Sequence, residues 1–252
     1  MRIVIFTSNA LRHKFVANRL SEHADDALVI SECRPSDASP ADDHFLLRYE
    51  TEKKFFRGND FFTAKKVLPL IYGEANLEYT FDTVKSFKPD AMFVFGACII
   101  KEPLLSLLPS GVFINLHLGL SPYYRGAGTN FWPFINKELE YIGSTILHID
   151  AGIDTGDIIA HVRPNIEMGD NVHTVGSKVI LESASTLIKI MNILKTGKKL
   201  NRVKQWKVPS KRYYKVSDFN EKVLTKYKNN LENGLIEKYL NSPKKKLKLI
   251  SL

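Results

Sequence analysis

The sequence predicts an α/β fold, an open and mainly parallel twisted sheet flanked by helices with a small C-terminal appendage. Three observations predict it. Short β-type runs alternate with segments of helical periodicity through the first half of the chain. Some of those runs, Ala91–Phe95 and Val112–Asn115 among them, are apolar without alternation, as suits strands buried on both faces. The chain has 252 residues, 44% of them hydrophobic, enough for one core of about 200 residues plus an extension.

The elements follow in order. Arg2–Thr7 reads as the first strand and runs through a polar turn, Ser8-Asn9, into a helix over Leu11–Leu20. Ala27–Ile30 reads as a second strand, and Asp42–Phe56 as a helix opened by Asp42-Asp43. Leu68–Tyr72 is ambiguous. Tyr79–Phe87 has helical spacing and stops at Lys88-Pro89. The buried run Ala91–Phe95 comes next, then a short helix over Glu102–Leu108 and the strand Val112–Asn115. Phe131-Trp132-Pro133-Phe134 opens a short helix. Gly143–Ile149 and Ile158–Val162 read as strands around a Gly/Asp-rich turn, and His173–Leu194 as a long amphipathic helix. Residues 1–196 form the expected core. Residues 197–252 are too few and too polar for a second independent domain.

Composition narrows the function classes. The chain has no run of 18 apolar residues, and its N-terminal stretch is too short and too soon polar for a signal peptide. Cys33 and Cys98 have no CxxC or His/Cys spacing for zinc. A reduced, cytoplasmic protein with no metal is the expectation. The net charge of +9 is uneven: from Lys195 onward 17 Lys/Arg face 4 Asp/Glu, so the preceding part is net acidic. The last stretch, PKKKLKLISL, is expected to be a solvated, partly disordered tail; attraction to phosphates, on a small molecule or on RNA, is the functional alternative.

In a parallel sheet the loops after the strands gather at one edge. Ser8–Arg12, Gly96–Ile100 and Leu116–Gly128 should meet there. No GxGxxG follows the first strand, which argues against a dinucleotide. Asn115 and His117 stand two apart, so strand geometry puts both side chains on one face. An amide and an imidazole together can stabilise an oxyanion and move a proton. A histidine after a strand is more often structural, so the pair alone is weak. The second element is HIDAGIDTGDII, His148–Ile159. Asp150 and Asp157 suit Asx-turns, while Asp154, between Gly152 and Gly156, is the better candidate for a carboxylate that orients His117.

INLHLGLSPYYRG and HIDAGIDTGDII together resemble the folate-dependent formyltransferases, which use 10-formyltetrahydrofolate. The pattern is matched at Asn115, His117, Ser121-Pro122 and Arg125-Gly126, then at Asp150, Gly152, Asp154 and Gly156. With KPDAMFVFGACIIKEPLL before it, the resemblance spans residues 76–165 and departs from the family in Leu118–Pro122. It implies a Rossmann-like formyltransferase core. It also implies a catalytic set of Asn115, His117 and Asp154: a neutral amine attacks the formyl carbon, Asn115 and His117 stabilise the oxygen, and Asp154 holds His117. The pterin would lie against Phe95, Gly96, Ala97, Cys98, Ile99 and Ile100 and the turn carrying Asp150 and Ile153. Cys98 serves as well as a small buried filler.

The acceptor follows by elimination within the resemblance. A short basic extension counts against methionyl-tRNA. The absence of glycine in TSNALRHKF counts against glycinamide ribotide. Formyltetrahydrofolate hydrolases carry a preceding regulatory domain. A nucleotide-linked amino-dideoxy sugar, destined for cell-surface polysaccharide such as O-antigen, is the expectation, with RGAGTNFWPF and KRYYKVSDFN similar to that branch. Ser8, Asn9, Arg12 and His13, at the start of the first helix, are candidates for its phosphate or sugar, or else an N-cap with solvated neighbours. Tyr124 and Arg125 are further substrate candidates, although Arg125 serves equally to hold the loop's shape. No nucleic acid and no membrane are expected as partners, and a homodimer is possible. A folate- or nucleotide-binding module with an RNA-binding tail is the non-enzymatic alternative.

Overall fold

The computed structural model describes residues 1–33, 43–109, 111–208 and 212–252. The chain runs β1 (Arg2–Ser8), α1 (Leu11–Ser21), β2 (Asp26–Cys33), α2 (Asp43–Phe55), β3 (Lys66–Ile71), α3 (Glu78–Phe87), β4 (Ala91–Val94) and β5 (Phe113–His117). It continues through β6 (Tyr124–Gly126), α4 (Trp132–Asn136), β7 (Ser144–His148), β8 (Ile158–Val162), α5 (Val172–Lys195), β9 (Arg212–Tyr214), α6 (Glu221–Glu232) and α7 (Leu235–Asn241). Asp42, expected to open the second helix, lies outside the described residues.

The main sheet has the order β3-β2-β1-β4-β5-β7-β8. Its first five strands are parallel; β7 and β8 are added antiparallel. Successive connections leave β1 first to one side and then to the other, so the order switches between β1 and β4, where open α/β sheets place ligands. Strand alternation divides the core in two. Ile3, Ile5, Val29 and Phe93 pack with Phe15, Val16 and Leu20 of α1 and with Ile180, Leu187 and Ile190 of α5. Val4, Phe6, Leu28, Ile30 and Met92 pack on the opposite face with Val84 and Phe87 of α3. α5 starts at a capping box: the Asn171 side chain accepts from the N–H groups of His173 and Thr174, and Thr174 Oγ1 accepts from Asn171 N–H.

The structure settles one ambiguous element and changes another. Leu68–Ile71 of the run that is ambiguous in sequence, Leu68–Tyr72, lies in the edge strand β3, where Pro69 costs no ladder bond on the open side, and Tyr72 begins the turn beyond it. Glu102–Leu108 is not a helix but a 3-10 turn over Leu104–Ser106. Pro109 disfavours helical geometry at Leu108, and Ser106 N–H and Oγ are both taken by the Glu102 carboxylate.

The C-terminal run keeps most of its side chains exposed, but its last residues are seated by their backbone. Ile250 O accepts from His161 N–H at 2.8 Å, and Ile250 N–H donates to His161 Nδ1 at 2.9 Å. Tyr123 OH exchanges hydrogen bonds with the backbone of Lys248, and Asn201 Nδ2 donates to Ser251 O. Lys248 Nζ sits 4.4 Å from the Trp206 ring centroid. A lysine-rich run can seat its backbone and aliphatic stems while its ammonium groups stay wet. α6 and α7 join Phe131, Trp132 and Phe134 in a further apolar cluster, and β9 pairs parallel with β6, so the C-terminal quarter is clamped onto the loop that follows β5.

Candidate active site

β5 ends at His117 with Leu116 turned into the core and Asn115 and His117 on the opposite face. The turn after β7 returns Asp154 to them. Gly156 allows this return: a Cβ there would lie 1.7 Å from His148 O. Asp154 itself has φ +52, a left-handed conformation that Asp tolerates better than most residues. Its two oxygens are divided between the two partners. Oδ1 accepts from Asn115 Nδ2 at 3.0 Å, and Oδ2 lies 3.1 Å from His117 Nδ1. The backbone behind is fastened by Gln205, whose Nε2 donates to Asp154 O and Gly156 O.

Burial pushes the Asp154 pKa up, but the hydrogen bond and charge of His117, the Asn115 amide and the charge of Arg125 outweigh it and hold the group below the usual carboxylate range. The carboxylate is therefore ionised and fixes the imidazole with Nδ1 toward it. His117 is 8% exposed, and its Nε2 is buried without a hydrogen-bond partner. His117 belongs to the wall of a cavity of about 300 Å³, lined also by Leu118, Gly126, Thr129, Asn130 and Phe131. A buried nitrogen with no partner costs free energy unless a ligand uses it.

The other candidates fall into distinct places. Ser8 Oγ and His13 Nδ1 are 2.6 Å apart and both buried, and the His13 ring meets Phe95 edge-on at 4.6 Å, so the loops after β1 and β4 do meet. Asn9 stands between Ser8 and α1, in the β1–α1 turn. Arg12 Nη1 pairs with Glu52 Oε1 at 2.8 Å and lines a cavity of about 220 Å³ with Arg48, Asn130 and His173. In the loop after β4, Phe95 and Ile100 are buried, Gly96, Ala97 and Cys98 partly so, and Ile99 is exposed. Across from it, Ile153 is exposed and Ile149 packs into the same apolar cluster as Ala97 and Cys98.

One assignment changes. Tyr124 is fully buried; its OH donates to Glu138 Oε2 and accepts from Asn136 Nδ2, so it packs the loop and offers nothing to a substrate. Asp150 accepts from Gly152 N–H and Thr155 Oγ1, so its side chain holds the turn, as the Asx-turn expectation has it. Arg125 bonds Gln205 and lends its charge to Asp154.

Residues that pattern reading missed are supports. Glu32 is fully buried at the end of β2 and accepts from Gly73 N–H at 2.7 Å and Cys98 N–H at 2.5 Å. Asn76 donates to Ile99 O and accepts from Lys101 N–H. Between them they shape the Phe95–Ile100 loop. An acid closing an apolar run, LVISEC, was the one visible signal.

A profile described as "Formyl transferase" matches residues 49–191, more than half of the chain. The chain belongs to the formyl transferase family. Among curated relatives, the methionyl-tRNA formyltransferase of Desulforamulus reducens is 35% identical over 113 residues, 44% of this chain and 35% of that protein. The matched segment thus spans about a third of that relative. Among solved structures, a formyltransferase from Anoxybacillus kamchatkensis in complex with UDP-4,6-dideoxy-4-formamido-L-AltNAc and tetrahydrofolate superposes with a TM-score of 0.53 at 18% identity, covering 94% of this chain and 97% of that one. A glycinamide ribonucleotide transformylase from Symbiobacterium toebii gives 0.55 at 17% identity, over 81% and 94%. At these identities the formyl transferases share the fold with this chain. Among the described residues, no cluster of metal-ligating side chains is present and no helix is long and apolar enough to cross a membrane.

Proposed function

We propose that the protein transfers a formyl group from 10-formyltetrahydrofolate to the amine of a nucleotide-linked amino sugar. The observation that carries this reading is the His117 imidazole, held by Asp154 at Nδ1, with a buried and unpartnered Nε2, in a residue that lines a cavity.

The donor supplies an N-formyl carbonyl activated toward amines. The chain fits such a molecule at the loop after β4, where the exposed side chains of Ile99 and Ile153 offer apolar surface to a flat heterocycle. Asn115 and His117 do the rest. With Nδ1–H donated to Asp154, the neutral ring keeps a lone pair at Nε2 to take the proton that the attacking amine must lose. Once protonated, Nε2–H faces the oxygen on which charge collects, and the Asp154 carboxylate stabilises the imidazolium; as the adduct collapses, the bond from the formyl carbon to the donor nitrogen breaks and His117 returns its proton to that departing nitrogen, releasing tetrahydrofolate. The second N–H of the Asn115 amide, not engaged by Asp154, is the other donor to that oxygen.

The acceptor side opens beyond His117. Asn130 stands in the wall shared by the His117 cavity and the cavity bearing Arg12 and Arg48, so an amine at His117 would belong to a molecule whose anionic part lies over two guanidinium groups. Formylation of methionyl-tRNA is the second reading, favoured by the 35% identity to the D. reducens protein. The test is formyl transfer, followed by mass spectrometry, to a panel of nucleotide-linked amino sugars, glycinamide ribotide and methionyl-tRNA, with an acceptor-free control for hydrolysis. Formylation of a nucleotide sugar is expected. Transfer to tRNA alone, hydrolysis alone or no turnover would overturn the reading.

A further inference from the structure

A third cavity, of about 400 Å³, lies beside the first two, and nothing in the chemistry above uses it. Its walls include His44, Phe131, Trp132, His173, Val216 and Phe219. It shares Gly128 and Phe131 with the His117 cavity, and Arg48, Val172 and His173 with the cavity at Arg12. The three are neighbouring parts of one surface.

The walls suit a planar aromatic guest. Phe131 and Phe219 stand 5.0 Å apart, tilted by 60°, and His44 lies 4.4 Å from His173. Trp132 is immobilised, stacked on Tyr214 at 4.0 Å and 8°, with its Nε1 donating to Ala127 O. The rim is apolar and open: Val216 is 79% exposed and Phe45 37%. Exposed apolar surface converging on a cavity marks a site that something covers.

Polar groups in the walls of the three cavities lack partners. His173 Nε2, Asn130 Nδ2 and His117 Nε2 are all buried and unbonded. The Asn130 amide is oriented, because its Oδ1 accepts from Gly143 N–H, which leaves its buried NH2 as the free end. The charge is positive where the cavities join. Arg12 and Arg48 both bond one oxygen of Glu52, at 2.8 and 3.0 Å, leaving one positive charge in excess, and Lys215 lies on the rim. Burial, with the charges of His44 and Arg48 adding to it, pushes the His173 pKa down to about 3, so that ring meets a ligand as a neutral hydrogen-bonding group.

Building on the acceptor proposed above, we infer that the aromatic cavity is the slot for the nucleobase of a nucleoside diphosphate, with the diphosphate over Arg48 and Arg12. The sugar then passes Asn130 to bring its amine to His117. Aromatic walls stack any base, and the hydrogen-bonding edge selects among them.

The inference is tested by binding alone, without folate or turnover. UDP, dTDP, GDP, CDP, inorganic pyrophosphate and a short RNA ending in CCA are titrated into the full chain by calorimetry. At least one nucleoside diphosphate should bind. Phe219→Ala should weaken it about tenfold or more. Val216→Glu, a change at an exposed rim position, should do the same by placing a carboxylate at the mouth of the aromatic slot. Pyrophosphate should bind more weakly, ignore Phe219→Ala and be lost in Arg48→Gln. No binding of any nucleoside diphosphate, binding unchanged in both Phe219→Ala and Val216→Glu, or binding of the RNA alone would overturn the inference. Nucleotide binding that these variants weaken, in a protein that formylates no acceptor, would leave the slot standing and sink the transfer reaction.

Discussion

His117 Nδ1 and Asp154 Oδ2 lie 3.1 Å apart, joining the end of β5 to a turn beyond β7. Asp154→Asn keeps the shape but removes the charge that favours Nδ1–H and stabilises the imidazolium. A loss of about 10²–10⁴ in kcat is expected, with KM for either substrate little changed. Because the Asp154 pKa is held below the carboxylate range, the wild-type pH–rate profile should show no loss of activity from this group near neutrality. A KM effect without a kcat effect would remove Asp154 from the chemistry.

Gly119 approaches the same imidazole at Nε2. A Cβ there would lie 2.7 Å from His117 Nε2 and 2.7 Å from Thr129 Cβ. Gly119→Ala should displace the ring from the cavity and lower kcat at least tenfold while the circular-dichroism spectrum stays native. Wild-type turnover in Gly119→Ala would show that Nε2 need not occupy that position.

Tyr124→Phe separates packing from recognition. The hydroxyl sits between Glu138 and Asn136, and Glu138 is also gripped by Arg212, at 2.7 Å to Nε. Deleting it should cost about 1–3 kcal/mol and lower Tm by a few degrees, with KM unchanged. A raised KM at unchanged stability would restore Tyr124 to the substrate.

Acid should destabilise the fold well before the carboxylates titrate. Burial lowers the pKa of His148, His161 and His173 below the ordinary 6.5, the last to about 3. Between those folded values and 6.5 the unfolded chain binds more protons than the folded one. Stability therefore falls as pH falls, by up to about 1.4 kcal/mol per pH unit for each ring. Urea unfolding at pH 7.5, 6 and 5 checks this, and a flat midpoint over that range would contradict it.

Removing residues 243–252 should matter. The truncation takes away the Ile250 bonds to His161 and exposes Trp206 and Tyr123. His161 Nε2 also donates to Ser121 O at 2.8 Å, in the loop that follows His117. A drop of several degrees in Tm is expected, with a smaller fall in kcat. Unchanged melting would mean that the seat contributes nothing.

Most of the sheet was legible in the sequence because buried parallel strands are written as apolar runs, and Asn115 and His117 because strand geometry fixes which residues share a face. Asp154 was legible through its glycines. The supports were not. Glu32 and Asn76 act by accepting backbone N–H groups far along the chain, and no local pattern encodes a partner's backbone. Tyr124 looked available because an aromatic in a polar loop carries no mark of burial; β9, which covers that loop, returns from far along the chain. The cavity at Phe219 joins α2, α4, α5 and the segment after β9, which adjacency in sequence cannot reveal.

The seat of Ile250 bears on how the molecule is made. β8 is an edge strand, and its outer side is bonded by Val203 at one end and Ile250 at the other. A ribosome delivers β8 long before residue 250, so a nascent chain carries that edge uncapped. Open edges recruit other strands. Chains stalled or cleaved between Val203 and Ile250 should therefore be the form of this protein most prone to aggregate, folded elsewhere yet adhesive along one side.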